Sequence, residues 1–126
     1  MANTATALTA VPMGWGHTGT GGLVVPIVVT FDTVGVDLTV YDTPTNVYCA
    51  IVGMQYGEAS AHNLIIKSGS QTLVTLEMPV STVVDDRIGD GFKCITRLGE
   101  DLIMQVTTAV ISSMLVYVTE FKMFKW

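Results

Sequence analysis

Stiff, β-branched side chains dominate this chain: Val, Ile and Thr supply 43 of its 126 residues. Two heavy atoms on Cβ lose freedom in a helix but pack well on a pleated surface. Glutamate occurs only four times, and four of the eight alanines fall within the first ten residues. The composition is that of an all-β protein. Its 126 residues are one domain's worth, long enough to bury roughly 65 to 70% of the unfolded surface without a disulfide or metal.

Turn chemistry divides the sequence at intervals of about ten residues. LVVPIVVTF, from Leu23, reads as a strand whose Pro26 places it at an edge, a bulge or a crossing point. Further strands are expected over Val36 to Tyr41, Val47 to Tyr56, Asn63 to Lys67, Gln71 to Met78, Phe92 to Arg97, Leu102 to Thr108 and Met114 to Phe121. Lys67-Ser68-Gly69-Ser70, Asp90-Gly91 and Leu98-Gly99-Glu100-Asp101 supply reversals. In Gln71 to Met78, Thr72, Val74, Leu76 and Met78 share one face, the mark of a half-buried strand. Val47 to Tyr56 is apolar on both faces and belongs in the middle of a sheet covered on each side. About eight strands without a helical segment predict an antiparallel β-sandwich of jelly-roll type. Residues 23–126 form this domain, and residues 1–22, rich in Ala, Thr and Gly and without useful periodicity, read as a flexible, extended N-terminal arm.

Charge is unevenly spread. Residues 1–30 contain no Asp, Glu, Lys or Arg, and the net charge is −5. Nucleic acid is not an expected partner, because phosphate binding needs clustered bases and only six Lys and Arg are present. The start of the chain lacks the basic residues and compact apolar block of a signal peptide, which favours synthesis in the cytoplasm. Leu102 to Thr119 is uncharged but includes Gln105, Thr107, Thr108, Ser112, Ser113 and Thr119, so two strands with a polar turn fit better than a membrane span. Cys49 and Cys94 lie in strand-like runs and read as buried free thiols.

Candidate sites are few. GWGHTG, from Gly14 to Gly19, spells G-x-G-x-x-G, yet a dinucleotide cradle needs a strand before it and a helix after it, and neither is predicted. Asp85, Asp86 and Asp90 fall short of a calcium loop, which would put Ile88 and Arg97 at ligand positions; a solvated acidic loop is expected. His17 and His62 have no second ligand at zinc spacing. The expectation is a protein that is not an enzyme, with no cofactor and no metal. Trp15, set among Gly14, Gly16, Gly19, Gly21 and Gly22, reads as an anchor on a hinged arm. Phe121, Phe124 and Trp126 put large apolar groups at the end of the chain, and with Trp15 are the candidate interface. A mean hydropathy of +0.51 with 13% charged residues points to an obligate oligomer, most simply a ring or trimer.

Two resemblances add to this. Gly35-Val36-Asp37-Leu38, Lys67-Ser68-Gly69-Ser70, Val83-Val84-Asp85, Gly99-Glu100-Asp101 with Gln105, and GWGHTG resemble the five motifs of the trimeric dUTP pyrophosphatases. That resemblance implies a jelly-roll-like fold and an Asp85 that positions or activates water. The chain departs from the pattern at Lys67, where the family has Arg, at Asp86, where an aromatic residue is expected, and in the N-terminal place of its glycine-rich piece. In overall character the chain resembles the decoration or cement proteins of tailed-phage capsids, through NLIIKSGSQTLVTLEM, GDGFKCITRLGEDLIMQV and MLVYVTEF. This implies a virion protein made in the host cytoplasm, a homotrimer that binds the major capsid protein on the outer shell and stabilises it. A tail protein is the alternative in the same class; a binding module for a sugar or another protein, and an enzyme, chiefly the nucleotide pyrophosphatase, are alternatives of other classes.

Overall fold

A computed structural model describes residues 3–12, 23–58, 62–78, 81–86, 94–107 and 114–121. Every regular element among them is a strand. In chain order these are β1 (Thr4–Ala7), β2 (Val11–Pro12), β3 (Leu23–Thr30), β4 (Leu38–Tyr41), β5 (Tyr48–Glu58), β6 (His62–Ser68), β7 (Gln71–Met78), β8 (Ser81–Asp86), β9 (Cys94–Ile95), β10 (Leu102–Val106) and β11 (Met114–Phe121). One sheet runs β1-β3-β11-β5-β8, with β2 also on β3 and β9 also on β5, and the other runs β4-β10-β6-β7. All described pairings are antiparallel. The protein is a β-sandwich. Without the short β1, β2 and β9, each sheet keeps four strands and the chain changes sheet at every connection except the β6–β7 hairpin, an order compatible with the expected jelly roll.

The core lies between the sheets. One supplies Ile27, Val29, Cys49, Ile51, Val116 and Val118, and the other Val40, Leu64, Ile66, Leu102, Met104 and Val106. Strict alternation does this in β10, where Leu102, Met104 and Val106 are buried and Ile103 and Gln105 half-buried. β5 sits between β11 and the pair β8 and β9. Cys49, Ala50, Ile51 and Val52 are all closed to solvent, as the two-sided apolarity of this stretch requires. Cys49 and Cys94 are free thiols.

Several expectations are corrected. Thr72 does not share a face with Val74: Ile66 pairs with Val74 and Lys67 with Thr72, so Leu73 is an extra residue and turns Thr72 to the outer face. Asp85 and Asp86 end strand β8, paired with Gln55 and Met54, where a solvated loop was expected. The strand expected over Phe92 to Arg97 is only the two-residue β9 among the described residues.

Part of the segment read as an arm is built into the first sheet. β1 pairs with Thr30 to Ile27 and β2 with Val24 and Leu23. Only Ala5 of β1 is half-buried against the core, so backbone hydrogen bonds rather than side-chain burial hold this strand. Pro26 lies in the gap between the two ladders, where its carbonyl accepts from Leu8 N at 2.8 Å and the missing donor costs no ladder bond.

The sandwich has two ends. The far end carries the loop 31–37 and the start of β11. The near end carries Tyr48, Phe121, the 68–71 hairpin and the turn 97–101, where Gly99 N donates to Val47 O at 2.9 Å.

Candidate functional site

A β-bulge creates the most distinctive polar feature. Leu102 pairs with Tyr41 and Ile103 with Thr39, leaving Val40 as an extra residue in β4. The bulge turns Tyr41 inward beside Leu102, toward the opposite sheet. There its hydroxyl donates to Glu120 Oε2 of β11, joining the two sheets at the near end. Ala10, Leu23, Val25, Tyr41 and Glu120 line a cleft of about 190 Å³ at this point. Burial, with the hydrogen bond and charge of Glu120 adding to it, holds the Tyr41 hydroxyl well above its ordinary value, so it remains a donor. Behind the pair, Cys49 faces the same way as Glu120, its register partner. Burial pushes its thiol up to about 12, leaving it protonated and unreactive. The buried Thr43 hydroxyl lies beside that thiol and opposes part of the rise. The site therefore presents a carboxylate, a phenol and aliphatic walls, with no activated nucleophile.

Two further clusters lie on the second sheet and the near-end turns. Lys67 Nζ donates to both oxygens of Asp37, at 2.9 and 3.1 Å, and Gln105 Nε2 donates to Asp37 Oδ1 at 2.9 Å. The fully buried Ser68 donates to Glu100 Oε1 at 2.6 Å and accepts from Arg97 N, while Arg97 Nε also donates to Glu100. The Ser68 hydroxyl and then Arg97 hold the Glu100 carboxyl below its ordinary value. Gly69 N donates to Asp101 O, and Asp101 Oδ1 accepts from Thr43 N. Thus the pieces around Asp37, Lys67-Ser68-Gly69 and Gly99-Glu100-Asp101 with Gln105, far apart in sequence, meet in space. Asp85 is not among them, since β8 belongs to the other sheet.

Of the candidate interface residues, only Phe121 falls within the described part. It is turned into its own chain, 9% exposed, and stacks on Tyr48 with ring centroids 5.2 Å apart and planes 18° from parallel. Trp15, Phe124, Trp126 and the glycines Gly14, Gly16, Gly19, Gly21 and Gly22 lie outside the described residues. The Tyr41–Glu120 pair was not predicted. A single acid closing an otherwise uncharged run was the available signal, but nothing in YDT marks Tyr41 as its partner.

No family model matches this chain, and no curated protein matches it. Among solved structures it is similar to the catalytic domain of a GH87 alpha-1,3-glucanase in complex with tetrasaccharides, with 13% identity and a TM-score of 0.38 over 99% of this chain and 27% of the other. The same kind of domain in complex with nigerose is 13% identical at a TM-score of 0.37, over 98% of this chain and 26% of that one. The enzymatically active domain of tailspike protein 4 of bacteriophage CBA120 is 12% identical at a TM-score of 0.30, over 98% and 18%. The chain thus spans about a quarter or less of each of these proteins. These findings correct the expectation that the protein is not an enzyme: the solved chains similar to it are catalytic or enzymatically active domains, so it is not classed as non-catalytic. At such low identity, the likeness carries neither activity nor substrate across.

Proposed function

We propose that this protein is a structural component of a bacteriophage particle, and more finely a decoration protein that binds the outer capsid as a homotrimer, after synthesis in the host cytoplasm. One observation carries the reading. Leu8, Leu23, Val34, Val36, Ile95 and Leu98 are each 41 to 52% exposed on a rigid sandwich whose chain is only 13% charged. Exposed aliphatic side chains on so weakly charged a chain offer contacts for association, and symmetric copies multiply modest contacts on a shell into avidity. The test is cosedimentation of the purified protein with expanded, undecorated shells of the major capsid protein from the same genome. Saturable binding in multiples of three is expected. Shells that pellet without it, under conditions where the protein is folded, would refute the decoration role.

A second reading is favoured by the meeting of Asp37, Lys67, Ser68, Glu100 and Gln105, pieces that resemble motifs of the dUTP pyrophosphatases. It predicts release of pyrophosphate from dUTP with magnesium. Absence of turnover by the parent chain removes it.

A further inference from the structure

What the cleft beside Tyr41 and Glu120 can hold is set by what its walls lack. The side chains of Ala10, Leu23 and Val25 supply alkyl surface, and those of Tyr41 and Glu120 supply the polar groups. The half-buried Glu120 carboxylate has about four acceptor sites and no donor, and the bond from Tyr41 takes one of them. The one proton of the phenol lies in that bond, so toward a ligand Tyr41 is an acceptor as well. The charge has one sign too: after burial, the negative charges of Glu120 and Asp42 help to keep the Tyr41 hydroxyl protonated. A ligand that displaces water from this carboxylate must bring donors of its own or leave a charged acceptor unsatisfied.

These demands narrow the ligand class. An anion is repelled by Glu120 and Asp42. A hard metal ion is poorly served, because calcium takes about six to eight oxygens and magnesium an octahedral shell, against one carboxylate and one protonated phenol here. A primary ammonium group brings three donors and the opposite charge. Its alkyl stem can lie along Leu23 and Val25 as a lysine stem lies along apolar surface. At roughly 30 Å³ for each water in the liquid, the cleft of about 190 Å³ holds about six waters, the space of a short stem with one polar head. We propose that this cleft binds a small primary alkylammonium cation, its head on Glu120 and Tyr41 and its stem along Leu23 and Val25. The site goes beyond both readings of the function, since it needs neither a capsid nor a nucleotide.

The test titrates the full chain with three probes of one stem at pH 7, butylammonium, butan-1-ol and butyrate, and follows the methyl resonances of Ala10, Leu23 and Val25. Butylammonium should give saturable shifts with a Kd of about 1–10 mM, as befits a ligand of so few atoms, and bind at least about tenfold more tightly than either other probe. Glu120→Gln keeps an acceptor for Tyr41 and should erase the preference for ammonium over alcohol. Leu23→Ala shortens a wall at a half-exposed position, so the fold should hold while butylammonium binds several-fold more weakly. Lys122 and Lys125 follow β11 in the sequence, and the variant with both changed to Ala should bind as the parent does. Binding gained only in that variant would mean that the chain's own lysines take the place of a free amine, and would overturn the proposal. Equal affinity for the three probes, or a Glu120→Gln chain that still prefers ammonium, would overturn it as well.

Discussion

Among the described glycines of positive φ, Gly99 is the most crowded. Its φ is +71°, and a Cβ there would stand 2.7 Å from the carbonyl oxygen of Thr45. Alanine must both adopt the left-handed region and displace backbone, so Gly99→Ala should cost roughly 2–3 kcal/mol. Gly35 has a similar φ of +74° but open space around it. Gly35→Ala should cost only about 1 kcal/mol. Urea unfolding of the two variants checks the difference, and equal losses would mean that the Thr45 segment yields. That Leu98-Gly99-Glu100-Asp101 turns was readable in the sequence. Which glycine is crowded was not, because Thr45 comes from a distant part of the chain.

Among the elements, β1 shows how a strand can be stable without a hydrophobic period. Its Thr and Ala side chains are too small to signal a buried face, and the ladder to β3 supplies the order. Asn3 extends that attachment: its Oδ1 accepts at 2.7 and 2.9 Å from Asp32 and Thr33, and its Nδ2 donates to Thr33 O at 3.2 Å. Asn3→Ala should therefore raise hydrogen exchange at Asp32 and Thr33 several-fold while leaving β10 protected, as each hydrogen bond lost contributes about 1 kcal/mol. Unchanged protection at those two amides would show that Gly35 and the β4 junction hold the loop by themselves. The bulges belong to this scale too. One extra residue at Val40 or Leu73 reverses which face the next side chain takes, and only the opposing strand decides where that residue is inserted.

For the molecule as a whole, the buried acids set a limit at alkaline pH. Burial is the first cause that raises Cys49, Cys94 and Tyr41 alike. The unfolded chain loses these protons first, near the ordinary thiol value of 9.0, while folded Cys49 holds its proton up to about 12. Their contribution to stability is therefore fully present below about pH 9 and falls as pH rises from there through the folded values. Urea midpoints measured across that window should decline, and Cys49→Ala, whatever its cost at neutral pH, should decline less steeply. Parallel slopes for the two chains would mean that the Cys49 thiol is not held protonated.

The class of fold was legible in the sequence, because β-branched content and turn spacing are properties of short stretches that no partner strand can alter. The place of β5 was legible as well, since a stretch apolar on both faces can rest only inside a sheet. The tertiary fold brought Tyr41 to Glu120 and gathered Asp37, Lys67 and Gln105 on one sheet. Those outcomes depend on which strands become neighbours and in what register. Register is set by the opposing strand, and a single inserted residue turns a side chain from solvent to core.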